Sequence, residues 1–280
     1  MSAPLAKLLL PRVDPWVLAG LLYLGAGAGV VTVRGIQAAA GSLAVARREP
    51  LRRQDAPVLL TIAIIGGGVA PVLMLIGLGR LSGVAGALLL NLEAVFTMLL
   101  AVTVFGERLT RSEIGAAAIV LAGAVLVTSS GRPIHGEPAG AIAIAAACLA
   151  WALDNNLTAR IATRDAVDVV RFKALSAGAG NLALATSAGH ALPPLTIVAV
   201  ALVVGFVSYG VSIVLDVHAL RYIGAARESA FFATAPFAGA VAAVPLLGEH
   251  VAPHEVVGGF VMAAGVALLI AARNAPKQQR

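Results

Sequence analysis

The chain has 280 residues, 59% of them hydrophobic and 12% charged, with a mean hydropathy of +0.93 and a formal net charge of +6. A water-soluble domain needs roughly 25% charged residues to cover its surface, so the composition excludes the soluble classes and points to an all-α polytopic membrane protein. A transmembrane barrel would show alternating segments of about ten residues, whereas these apolar runs are continuous and about twenty residues long.

Residues 1–14 are not a signal peptide, because Lys7 is followed by only three leucines before Pro11 and Arg12. The first helix is predicted over residues 15–33. Pro15 suits its first turn, Asp14 can cap it, and Gly25, Gly27 and Gly29 give it a narrow face. A long basic connection from Arg34 to Gln54 follows. The next helices are expected over residues 57–78, with Gly66, Gly67, Gly68 and Pro71 inside, and over 83–105. The helix over 111–129 opens with Thr110 and Glu113 at capping-box spacing. After a polar turn come helices over 139–159, 167–187, 195–220, 225–247 and 253–272. The expected total is nine transmembrane helices.

Sorting the connections by side gives the orientation. Lys7, Arg12, Arg80 and Arg132 fall on one side, and the remaining 16 of the 20 Lys and Arg fall on the other. Cytoplasmic loops carry the excess of cations, so the basic connection and the C-terminus are expected in the cytoplasm. Arg in excess of Lys, with abundant Ala, Gly and Val, suggests a GC-rich bacterium and hence the bacterial inner membrane. Cations scattered between apolar runs do not make a phosphate-binding face, so no nucleic-acid partner is expected. Cys148, the one cysteine, excludes an internal disulfide and a Cys-pair metal site, and reads as a small buried apolar residue.

One stretch occurs twice. Residues 84–126 and 226–268 align at a shift of 142 positions, bringing Gly106-Glu107 onto Gly248-Glu249, Glu113 onto Glu255 and Gly123 onto Gly265. Each copy is an apolar run, a Gly-Glu turn and a second apolar run. The expected division is a first repeat of four helices over 1–130 and a second of five over 138–280. A five-helix unit predicts one further helix ahead of residue 1, so most of the first helix is expected to be missing. An odd number of helices per unit inverts the second copy, which is a transporter architecture.

The duplicated hairpin resembles the EamA-type modules of the drug/metabolite transporter superfamily. So do CLAWALDNNLTAR (148–160), FKALSAGAGNLALA (172–185), SYGVSIVLDVHALRYIGAAR (208–227) and APFAGA (235–240). The likeness covers essentially the whole chain. It implies ten helices in two inverted five-helix repeats, both ends cytoplasmic, and export of amino acids, other metabolites or drugs through a central cavity. Residues SAPLAK resemble the end of the family's first helix. Ala94 stands where many members carry a proline, which implies a weaker kink in the helix over 83–105. Asp216 and Glu228 add acidic groups near the cytoplasmic mouth.

Polar groups inside the membrane are costly unless paired or wet. Glu93 is expected midway along the helix over 83–105, with Asn91 and Thr97 nearby. It either contacts a substrate ammonium or carries a proton, or it is a neutral packing residue. Asn181 and Tyr209 are central on their helices and either line the cavity or bond neighbouring helices. Pro236, expected near the middle of the helix over 225–247, is a kink or hinge, with Phe232 as a candidate substrate wall. Tyr23 is a cavity or interface residue, and Trp16 belongs to the aromatic belt. Asp154 and Lys173 are placed to form an ion pair at the inner gate. The five histidines sit apart, and His250 and His254 are separated by a turn proline. No catalytic constellation, metal site or cofactor is expected, and the chain is not read as an enzyme. The leading reading is a secondary transporter for a small molecule, acting by alternating access as a monomer or homodimer in the lipid bilayer. The alternatives are a membrane enzyme acting on lipid-linked substrates and a non-transporting truncated remnant.

Overall fold

Lipid offers no hydrogen-bond partners, so every backbone polar group in a span must be satisfied by the protein. The computed structural model describes residues 2–39, 49–104, 106, 109–129, 137–161, 163–212, 215 and 233–274. Among them the regular elements are helical and no strand occurs.

A short helix α1 (Ser2–Leu9) leads into α2 (Pro15–Ala39). After a single 3-10 turn at Arg53–Asp55, α3 (Ala56–Ile62), a π-helical segment (Ala63–Val69) and α4 (Ala70–Leu78) form one continuous rod. Helices α5 (Gly83–Leu89) and α6 (Leu92–Thr103) follow, then α7 (Arg111–Thr128), α8 (Glu137–Ala159) and α9 (Ala166–Ser187). Helix α10 (Leu195–Gly205) runs into a second π-helical segment, Phe206–Val211. The described chain closes with α11 (Ala235–Leu247) and α12 (Pro253–Asn274). Among the described residues, six helices are long and apolar enough to cross a membrane, and Leu195–Val211 and Ala235–Leu247 are shorter apolar helices.

Two departures from the sequence expectation matter. The helix expected over 83–105 is broken at the turn residues Leu90 and Asn91. Glu93 therefore lies in the first turn of α6, still midway along the apolar span Gly83–Thr103. Pro236 lies in the first turn of α11, where its missing N–H has no intrahelical partner to lose. The turn residues Ala233 and Thr234 stand immediately before α11. A shift of 142 carries Asn91 onto Ala233, a turn residue like it, and Ala63–Val69 onto 205–211, so the π segment recurs in register.

The longest helices pack as α7 on α12 and α2 on α9, with α8 against α4 and α6, α10 against α2, and α11 against α5. Small residues set these approaches. A Cβ on Gly265 would meet the Val120 amide nitrogen at 2.9 Å, and one on Gly123 would meet the Met262 amide nitrogen at 2.8 Å. These two glycines correspond under the shift, and together they hold α7 and α12 in backbone contact. The duplicated turn glycines have a different role: Gly106 and Gly248 adopt φ of 70° and 64°, the left-handed conformation that ends a helix at least cost for glycine.

Ion pairs tie each end of the bundle. At one end Lys7 reaches Glu249 at 2.9 Å and also donates to the Leu81 carbonyl. Glu249 accepts from the Gly83 amide at 2.7 Å and the Val84 amide at 3.2 Å, so it caps the N-terminus of α5 from across the molecule. Ser82 donates to Glu255, whose other oxygen accepts from the Ala252 amide at 2.8 Å. At the other end Arg34 meets Asp165 at 2.8 Å, and Arg164 joins Asp55, at 2.7 Å, to Glu49. Burial pushes Asp165 up, but the Arg34 guanidinium and the Val167 amide outweigh it and hold the carboxyl below its ordinary range.

Burial likewise works to raise Glu249, and the Gly83 amide, Lys7 and the Val84 amide overcome it, leaving this group below the usual glutamate value. A carboxylate with a lowered folded pKa stabilises the protein above its unfolded value, and that contribution is lost as pH falls through the folded one. Replacing Glu249 with Gln is expected to cost roughly 1 kcal/mol at neutral pH. Thermal unfolding in detergent should show that gap unchanged down to about pH 5, closing below the ordinary glutamate value near pH 4.3.

Candidate functional site

The site begins with a carbonyl that has no backbone partner. In the π segment hydrogen bonds run from residue i to i−5, and the Ala70 amide donates to the Ile65 carbonyl. The next donor in that register would be residue 71, a proline without an N–H. The Gly66 carbonyl is thereby released. Tyr23 Oη donates to it at 3.1 Å from α2, and Trp151 Nε1 donates at 2.9 Å from α8. Two residues on, the Gly68 carbonyl accepts from Asn181 Nδ2 at 3.3 Å, from α9.

Glycine is required here by space. A Cβ at Gly66 would collide with the carboxyl of Asp154, and one at Gly67 would stand 2.6 Å from the Cβ of Ala177. The π segment is thus wedged between α8 and α9, with Tyr23 at its edge. Tyr23 in turn faces Tyr209 of the second π segment, with ring centroids 5.8 Å apart and planes tilted by 38°.

The break between α5 and α6 is served by the same face of α8. The Cys148 thiol points at the Leu89 and Leu90 carbonyls at 3.7 and 3.8 Å. Asn91 Nδ2 turns back on the Leu88 carbonyl at 2.9 Å. Asn155 Nδ2 donates to Glu93 Oε1 at 2.7 Å, and Asn156 Nδ2 reaches the Thr97 carbonyl at 3.2 Å. Cys148, Trp151 and Asn155 are spaced i, i+3, i+7, so they share one helix face.

Asp154 and Lys173 form an ion pair between α8 and α9, with side-chain exposures of 4% and 19%. Lys173 is bound to one oxygen of Asp154, while the other, Oδ1, is buried without a hydrogen-bond partner. Glu93 lies within electrostatic reach of both groups. It is half-buried and Asn155 is exposed, so this pair forms the accessible edge of the cluster.

Of the residues singled out in the sequence, Glu93, Asp154, Lys173, Asn181 and Tyr209 come together around the first π segment. Asn91 serves the helix break with its side chain, and Thr97 contributes its carbonyl to Asn156. Pro236 starts α11, and Phe232 lies outside the described residues, as do Glu107, Asp216, His218 and Glu228. Sequence reasoning missed Trp151 and underrated Cys148, Asn155 and Gly66. The available signal was a Gly-Gly-Gly run that ends three residues ahead of a proline inside an apolar helix.

The profile of the EamA-like transporter family matches residues 1–129 and 138–271. The chain belongs to the EamA-like transporter family. It is 29% identical to an uncharacterized transporter of Methanothermobacter thermautotrophicus over 96% of this chain and 82% of that protein. It is 27% identical to a probable terminal-alkyne amino-acid exporter of Streptantibioticus cattleyicolor, over 82% of this chain and 77% of that one. A crystal structure of another protein superposes with a TM-score of 0.59 at 19% identity, covering 98% of this chain and 96% of that one, which shows a shared fold. In this EamA-like transporter the irregular backbone and the polar side chains coincide, as expected where backbone at membrane depth lines a cavity.

The Asp154–Lys173 pair gives a direct test. Lys173→Ala leaves a buried carboxylate uncompensated and is expected to cost about 3–5 kcal/mol. Asp154→Lys with Lys173→Asp should recover much of that stability in detergent melts. A double variant no more stable than either single change would show that the two groups act independently.

Proposed function

We propose that this EamA-like transporter is a secondary carrier of the bacterial cytoplasmic membrane that exports amino acids or other small metabolites or drugs. The observation that carries the reading is the convergence of polar groups from α2, α8 and α9 on the Gly66–Gly68 backbone, with Glu93 of α6 bonded to Asn155 and Tyr209 of the second π segment against Tyr23. Side chains that must satisfy an opened helix already face inward, and they offer a substrate both charges and hydrogen bonds. The relative named as a terminal-alkyne amino-acid exporter supports an amino-acid cargo.

The division into repeats over 1–130 and 138–280 supplies the two-state frame. With the second copy inverted, the turn at Gly106 faces the cytoplasm and the one at Gly248 faces outward, and the C-terminus is cytoplasmic. The Lys7–Glu249 end is then the outer closure and the Arg34–Asp165 end the inner one. Alternating access exchanges which of these is broken, with the cluster between them. The cation bias of the connections supports this orientation. One chain carries the whole cluster, so a monomer suffices for binding.

Purified protein in liposomes loaded with a set of labelled amino acids is expected to release at least one of them faster than empty liposomes do. Asp154→Asn should slow that release about tenfold, equivalent to about 1.4 kcal/mol of lost stabilisation. Failure to release any member of a broad set of amino acids and metabolites would contradict the reading.

A further inference from the structure

The Lys7–Glu249 end of the bundle holds two joints of unequal strength. One joins α5 to α11 and α12. Glu249 accepts from the Gly83 and Val84 amides, and Ser82 donates to Glu255. A Cβ on Gly83 would collide with the Leu247 side chain and stand 3.1 Å from the Cβ of Ala243, so α5 and α11 are also closely packed. Parting them would orphan the first amides of α5 and take donors from two carboxylates.

The other joint holds α1, and among the described residues one side chain makes its polar bonds at this end. Lys7 donates to the Leu81 carbonyl, in the turn between α4 and α5, and pairs with Glu249 at 2.9 Å. The buried face of α1 is otherwise Ala3, Pro4, Ala6 and Leu9, and alanines remove little apolar area from water. When Lys7 lets go, Glu249 keeps its bonds to the Gly83 and Val84 amides. The Leu81 carbonyl, uncovered by the departing helix, is left to water. Releasing α1 therefore costs less than parting α5 from α11.

The placement of α1 gives its release a consequence. Eight helical residues rise about 12 Å, a little under half of a hydrocarbon core roughly 30 Å thick. From the turn at residues 10–13, α1 runs back to Ser2, whose side chain neighbours Tyr209 of the second π segment. Tyr209 faces Tyr23, the donor to the Gly66 carbonyl. Helix α1 thus reaches from the rim of the bundle to the edge of the polar cluster, packed against α4, α5, α10 and α11. The turn behind it is anchored: Asp14 caps α2 through the Trp16 amide at 2.8 Å and lies 3.2 Å from His190 Nδ1.

We propose that α1 is a lid, latched by Lys7, that covers the path from the polar cluster to the outer surface and opens about the turn at residues 10–13 while α5 and α11 stay joined. That the path carries cargo outward rests on the transport reading above. The order in which the two joints open is a property of the fold and is measured without transport.

Two buried alanines report on the two joints: Ala6 on the inner face of α1, and Ala243 on α11 facing Gly83. Ala6→Cys and Ala243→Cys are introduced singly into a full chain carrying Cys148→Ala. The purified proteins, in lipid nanodiscs open to water on both faces, are treated with a charged, water-soluble thiol reagent. Removing the latch with Lys7→Met is expected to raise the modification rate of the cysteine at 6 about tenfold, the effect of losing a hydrogen-bonded charge, and to leave the one at 243 unchanged.

No rise at 6, or an equal rise at both positions, would each overturn the proposal. Hydrogen exchange of the unaltered chain decides the question where Lys7→Met fails to fold. Amides of residues 6–9 are expected to exchange at least about tenfold faster than those of residues 87–89, and equal protection of the two would overturn the lid. A latch-dependent lid in a protein that releases no amino acid or metabolite from liposomes would sink the export reading and keep this one. Amino-acid release with the cysteine at 6 unresponsive to Lys7→Met would do the opposite.

Discussion

The structure depends on the carbonyl of Gly66. A membrane span cannot leave such a group bare, and Pro71 removes the amide that the π register would supply. Tyr23 and Trp151 supply the missing donors, and in doing so fix α2 and α8 on either side of the α3–α4 rod. Asn181 does the same from α9 at Gly68. Each such bond contributes about 1 kcal/mol by itself, but an unsatisfied group in hydrocarbon costs several. The irregular backbone therefore recruits polar side chains to the centre of an apolar bundle, where they are available to a ligand.

Helix α8 organises this arrangement. Its face of Cys148, Trp151, Asp154, Asn155 and Asn156 reads two defects at once, the π segment and the α5–α6 break. The second π segment differs. Its local donor is Ser212, which bonds the Ser208 carbonyl at 2.7 Å within the same helix. The same backbone irregularity thus recurs 142 residues on, and among the described residues without the same polar partners.

Much of the architecture was legible in the sequence because lipid imposes long apolar runs, and because the Gly-Glu turns and Gly123/Gly265 are written twice. Asp154 and Lys173 were singled out as placed to pair between neighbouring helices, and they meet as an ion pair where α8 and α9 flank the first π segment. The break at Leu90–Asn91 was hidden, because no glycine or proline stands there. Its carbonyls are held by Asn91 itself and by Cys148, a residue 57 positions away in sequence. Such tertiary donors leave no local signature. Trp151 was overlooked for the same reason: an indole in an apolar run looks like packing until the carbonyl it serves is located. Glu249 was legible as part of a repeated turn, but its capping of α5 across the molecule was not.

The central claim is that the face of α8 at Asn155 borders water inside the bundle rather than lipid. Cys148 is fully buried and is replaced by Ala to give a clean background. Asn155→Cys and Val241→Cys are then introduced singly, Val241 being 74% exposed on the outer side of α11. Both are treated in membranes with a charged, water-soluble thiol reagent. The account predicts that the cysteine at 155 is modified and the one at 241 is not. Equal inertness of the two positions would contradict it.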